Sequence, residues 1–167
     1  RSSPGVFVRC QPGSPVKSRG KGMNEEIRSL IDSIRRGQYE DPTEKISLLA
    51  AALQEHQADN ALLIMLLGAP QIPLRLAALE ACRQRKDEAL SSSLLGLVHD
   101  TESRVRTRLC AVLAEAPSPN TVEALKTLTA DVDVGVRIEA IKATAGHAAY
   151  LDIQRDLLLN DRNWNVR

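Results

Sequence analysis

One phrase recurs along the chain at nearly constant intervals. It is written DTESRVR at 100–106, DVDVGVR at 131–137 and DRNWNVR at 161–167, with six residues from Asp to Arg each time. Leu74-Arg75, Val105-Arg106, Val136-Arg137 and Val166-Arg167 follow one another at 31, 31 and 30 residues. Later positions keep step: Ala78, Leu109 and Ala140, then Ala81, Val112 and Ala143. A period of this length marks stacked supersecondary units. A single unit cannot bury its apolar side alone, so the stack shares one core.

The residues between the phrases show what the unit is. Hydrophobic residues make up 43% of the 167 and aromatics only 2%, so Leu and Ala carry the apolar content. Both favour helix, and strand-like aromatic or β-branched patterns are scarce. The spacing predicts helices over 42–56, 58–68, 72–85, 87–99, 103–116, 121–130, 135–147 and 150–160. Pro42 suits a first turn, and Gly68 a stop. Asn120 with Glu123 three residues on reads as a capping box. ALLIMLL at 61–67 is too short to span a bilayer, which takes about 20 residues, and reads as a buried helix. The expected class is all-α, a solenoid of stacked antiparallel helix pairs.

The junction phrase then has a physical meaning. Its Val or Leu is the first core residue of each first helix. Its Asp lies where the chain turns between units. Each Asp (Asp100, Asp131, Asp161) is expected to accept hydrogen bonds from Arg (Arg106, Arg137, Arg167) or from turn amides, fixing the angle between repeats. A partly exposed pair of this kind is worth at most about 1 kcal/mol. The first pair departs from the pattern, because Ala69 stands where Asp is expected.

Upstream of the array, 24–36 reads as a capping helix within a segment 23–40. Asn24 can cap it, Glu25 and Glu26 lie at its positive end, and Arg35 and Arg36 at its negative end. Ile27, Leu30, Ile31 and Ile34 make one apolar stripe, and Gly37 fits the position after the C-cap. Residues 1–22 are rich in Gly, Pro, Ser and basic residues and read as a disordered tail. Met23 reads as an initiator, with the tail as upstream sequence or an expression remnant, or alternatively a transit peptide.

The formal charge of +1 is uneven: the tail holds five of the 22 basic residues and no acid, leaving 17 against 21 in 23–167. A mildly acidic body argues against nucleic-acid binding, which needs clustered cations. Arg83, Arg85, Lys86, Arg104, Arg106 and Arg108 are interspersed with Glu80, Asp87, Glu88, Glu102 and Glu115, which reads as a solvated mixed-sign surface. Cys10, Cys82 and Cys110 form no CxxC pair and read as two buried helix residues and one in the tail. His56, His99 and His147 fall at unlike repeat positions near helix ends, where they complement the dipole. No Gly-rich phosphate loop, metal-spaced Cys set or nucleophile elbow occurs. No cofactor, metal or catalytic residue is expected, and the setting is expected to be cytoplasmic.

With D-x(4)-V-R opening a first helix, as in DTESRVRTRLCAVLAEA and DVDVGVRIEAIKATAG, the chain resembles the HEAT-repeat superfamily over 41–167. The match is to the short bacterial form found in phycobilisome-lyase-like repeats. The resemblance implies a right-handed superhelix whose second helices line a concave binding face. The implied function is non-catalytic protein binding or scaffolding. An auxiliary subunit of an enzyme, such as a chromophore lyase, is the alternative. HEAT-like di-iron hydroxylases carry His-Glu dipeptides, and no His here is followed by Glu. HEAT-like glycosylases have an aromatic cleft, and aromatics are scarce here. Candidate partner contacts on the second helices are Ser92, Ser93, Glu123, Lys126, Thr127, Gln154, Arg155 and Asp156; Ser91-Ser92-Ser93 also reads as tolerance for close packing. The array is expected to continue past Arg167, because Trp164 to Arg167 open a helix that is not completed. Self-association through that uncapped end is expected.

Overall fold

The computed structural model describes residues 24–83, 85, 87–145, 150, 151, 155 and 159. Among these residues every regular element is helical. The tail 1–22, His147, Gln154, Asp156 and the 161–167 phrase lie outside the described residues.

Helix α1, Glu25–Arg35, starts where the Asn24 side chain accepts the Glu26 N–H at 2.8 Å. It buries Ile27, Ile31 and Ile34 on one face. It ends at Gly37, whose φ of +68° is open to glycine without strain. The Gly37 and Gln38 N–H groups return to the Ile34 and Ser33 carbonyls at 3.1 and 2.9 Å. Helix α2, Pro42–Glu55, is capped by Asp41. It stops the same way, with the Ala58 N–H on the Leu53 carbonyl at 2.9 Å, but the left-handed position is Gln57 at φ +48°. An L side chain there is strained by about 1–2 kcal/mol. Gln57→Gly is therefore expected to raise the thermal midpoint, for a net gain of about 0.5–1 kcal/mol after glycine's extra chain entropy.

The remaining elements are α3 (Asn60–Leu67), α4 (Ile72–Cys82), α5 (Glu88–Gly96), α6 (Ser103–Ala114), α7 (Pro119–Thr129) and α8 (Val134–Thr144). A 3-10 turn, Leu97–His99, extends α5. Tyr150 is buried, and Leu151, Arg155 and Leu159 are helical. Asp59, Asp87 and Asp133 cap α3, α5 and α8 through the amides two or three residues on. The start of α7 differs from the sequence expectation. Its cap is Ser118, not Asn120, and the reciprocal partner is Thr121, not Glu123. Pro119 decides this: its fixed φ and missing N–H suit the first helical position, so the helix begins two residues early.

First helices α2, α4, α6 and α8 lie side by side in one layer, with α3, α5 and α7 in a second, and α1 covers α2. The second helices hold the 31-residue register in their core positions. Leu63, Leu94 and Leu125 are all buried, as are Leu66, Leu97 and Leu128. In the first layer Leu74, Val105 and Val136 are fully buried at the phrase position. Helix α4 buries Ala77, Ala78, Ala81 and Cys82 besides Leu74 and Leu79, because it is enclosed by α2, α3 and α6. Small side chains let three neighbours approach one helix. Helices α2 to α8 thus form a continuous two-layer stack with a shared core.

Cys82 and Cys110 belong to that core, and burial pushes their thiols up to about 11 and about 12. A thiol reagent at pH 8 is expected to reach neither in the native state. Two further thiols per chain should react only through the urea unfolding transition. Modification of either before that transition would contradict their placement.

Candidate interaction surface and the junction ladder

Arg75 and Arg106 each reach in two directions. Arg106 donates Nη1 to the carbonyl of Asp100, six residues back, at 2.7 Å. Its Nε and Nη2 grip both oxygens of Asp131, in the next repeat, at 2.7 and 2.9 Å. Arg75 is placed alike, donating Nη1 to the Ala69 carbonyl at 2.8 Å and Nη2 to Asp100 Oδ1 at 3.0 Å, while its Nε lies 2.9 Å from Asp100 Oδ2 as an ion pair without a well-aligned hydrogen bond. Arg137 bonds the Asp131 carbonyl at 2.9 Å. Each Asp also accepts a turn amide, from Glu102 or Asp133, at 2.9 or 2.8 Å. The Arg of one repeat therefore pairs with the carboxylate of the following repeat and with the backbone of its own turn.

Ala69 fits this pattern. An arginine one period before Arg75 would stand at 44, where the chain has Glu44. With no cation reaching forward, no carboxylate is needed at 69, and the carbonyl of Ala69 still receives Arg75.

These pairs are more deeply placed than the partly exposed pair expected from sequence. Side-chain exposure is 10% and 7% for Arg75 and Asp100, and 10% and 9% for Arg106 and Asp131. Burial pushes the Asp131 carboxyl up. Hydrogen bonds from Arg106 and the Asp133 N–H, with the charges of Arg106 and Arg137, outweigh it and hold the group below the ordinary aspartate range.

The other basic residues divide. Arg85 donates to the Ala58 carbonyl at 2.6 Å, tying the end of α4 to the turn after α2. Arg83 and Arg108 meet Glu115 and Glu80 at 3.5 and 3.2 Å on the surface, and Arg104 is exposed. His56 Nε2 lies 3.1 Å from Glu26 and fastens α1 to the end of α2, whereas His99 closes the 3-10 turn. Among the described residues no three His, Cys, Asp or Glu side chains are grouped to hold a metal, and no helix is long and apolar enough to cross a membrane.

The outward side of the second-helix layer carries three rows at the 31-residue spacing. Ala61, Ser92 and Glu123 form one, Ile64, Leu95 and Lys126 the next, and Met65, Gly96 and Thr127 the third. All are exposed except Leu95, which is half-buried. Ser92, Glu123, Lys126 and Thr127 thus share one face, and Arg155 is exposed further along. Ser93 does not belong with them. It is half-buried, one period from Leu62 and buried Ala124, so it turns toward the core.

Ile64 and Met65 were not legible as surface residues, since ALLIMLL reads as buried throughout. They are 41% and 47% exposed. An all-apolar helix hides its phase, but the register to Lys126 and Thr127 marks these two positions as outward. The face therefore runs from apolar on α3, through small residues on α5, to charged on α7.

A second concavity lies at the opposite ends of the helices. It is a groove of about 580 Å³ between the α4–α5 and α6–α7 turns. Leu94, Leu95, Val112 and Leu113 floor it, with Arg83 and Glu115 at its rim.

Residues 58–145, more than half of the chain, match the family model of HEAT repeats. Neither the curated proteins nor the solved structures gave a match. That match covers the stacked helix pairs and the Asp–Arg rungs between them, and the chain belongs to the HEAT-repeat family.

Proposed function

We propose that the chain is a non-catalytic binding module that takes up a protein segment along the outward face of α3, α5 and α7. The observation that carries this reading is the adjacent exposed pair Ile64 and Met65. Exposed apolar side chains beside small residues give a partner an anchor and a close approach. Ala61, Ser91, Ser92 and Gly96 supply the low surface next to them. Glu123 and Lys126 at the far end add charge that selects orientation more than affinity. In a HEAT array this layer corresponds to the concave side.

Photo-crosslinkers placed singly at Met65, Ser92 and Thr127, and at Arg104 and Lys142 on exposed first-helix positions, test it in a cell extract. The same polypeptide should be captured from the three second-helix sites and from neither first-helix site. Equal capture from Arg104 and Lys142, or none from the second-helix sites, would overturn the assignment.

A further inference from the structure

Three junctions stack the first helices, and they are not held alike. At α2/α4 the end opposite the phrase is pinned: Arg85 donates to the Ala58 carbonyl at 2.6 Å and Gln54 to the Glu80 carbonyl at 3.2 Å. In the second layer, Asn60 bonds Asp87 at 2.6 Å across α3/α5. At α4/α6 the phrase end is pinned by Arg75 on Asp100. Away from that rung, the described residues place two ion pairs across the junction, exposed Arg83–Glu115 at 3.5 Å and Arg108 on half-buried Glu80 at 3.2 Å. There the 580 Å³ groove separates the two hairpins. Among the described residues no hydrogen bond joins α5 to α7, whose contact is continued by the 3-10 turn after α5. The α4/α6 packing is slighter than that of α2/α4 or α6/α8.

We infer that the α4/α6 junction is the hinge of the array: the α4–α5 hairpin and the α6–α7 hairpin splay about the Arg75–Asp100 rung, opening and closing the groove. The exposed Arg83–Glu115 pair at the rim is too weak to lock it. The buried rung at the other end prevents translation, so rotation is the soft motion left. Its effect is to swing Glu123 and Lys126 on α7 relative to Ile64 and Met65 on α3. This holds whether or not that face binds a protein.

Nitroxide pairs read the motion directly. Ala61, Ser92 and Glu123 are equivalent, exposed positions on α3, α5 and α7. In a Cys10→Ser background, pulsed dipolar distances are measured for Ala61→Cys with Ser92→Cys and for Ser92→Cys with Glu123→Cys. The two pairs span one junction each, and circular dichroism confirms that each variant is folded. The 92/123 distribution is expected to be roughly two-fold broader than the 61/92 distribution, as a hinge predicts. Glu115→Gln should widen 92/123 further and leave 61/92 unchanged. Equal widths, a broader 61/92 pair, or equal widening of both by Glu115→Gln would overturn the hinge.

Discussion

Asp131→Ala is expected to destabilise the fold by about 3 kcal/mol, the range for removing one partner of a buried ion pair. Arg106 would keep the Asp100 carbonyl but lose both carboxylate bonds while still enclosed at its junction. Arg106→Lys should fall between wild type and the alanine variant, since an ammonium keeps the charge but not the two-pronged grip. Glu139→Gln provides the contrast. Its pair with Lys142 is a surface one at 2.6 Å, with the lysine 65% exposed, and its removal is expected to cost under about 0.5 kcal/mol. Urea midpoints by circular dichroism measure all three, and equal midpoints for Asp131→Ala and Glu139→Gln would sink the argument. The pH dependence has a definite sign. Because the folded Asp131 pKa is depressed, its contribution is present above the unfolded aspartate value of about 3.9 and is lost as pH falls through the folded value. Asp131→Asn should flatten that acid limb relative to wild type.

Leu109→Ala carries the second large effect, about 3 kcal/mol, from lost transfer energy and the cavity left behind. Leu109 is fully buried in α6. Its counterparts one period away are Ala78 and Ala140, both also fully buried. A repeat consensus would therefore favour alanine at 109. Packing argues the reverse, because the leucine occupies space that neither neighbouring alanine fills. The reciprocal change, Ala78→Leu, should also destabilise, by about 1–3 kcal/mol of overpacking in the helix enclosed on three sides. Thermal or urea unfolding of the two single variants decides it. A gain in stability from Leu109→Ala would show that the register, and not local shape, sets this position.

The period and the helical class could be read directly, because both depend on residues recurring at fixed distance. Helix α1 was legible for the same reason: its isoleucines sit on a single stripe. The direction of the Arg–Asp pairing was not. A phrase with Asp and Arg six residues apart suggests a bond within itself, whereas the guanidinium reaches the carboxylate 25 residues on and leaves its own turn only a carbonyl partner. Nothing in a linear spacing distinguishes those two distances. The α7 cap was misplaced because Asn120 and Glu123 match a common pattern, while Pro119 fixes the start more strongly. The outward set was half legible: Ser92, Glu123, Lys126 and Thr127 share the face, Ser93 does not, and Ile64 and Met65 were hidden in an unbroken apolar run. The groove could not be read at all, since its floor joins leucines of α5 to residues of α6 that only stacking brings together.

The forward reach of Arg75 and Arg106 makes their two rungs interchangeable. If the 31 residues 100–130 were excised, His99 would run into Asp131, and Arg75 would meet at Asp131 the same carboxylate and turn it now finds at Asp100. The gene of such a protein can lose or duplicate one period without writing a new junction. The exception is the leading edge, where Glu44 and Ala69 form no rung. A change of length by one repeat, counted from α4 onward, therefore needs no new rung, only repacking at core positions such as 78, 109 and 140.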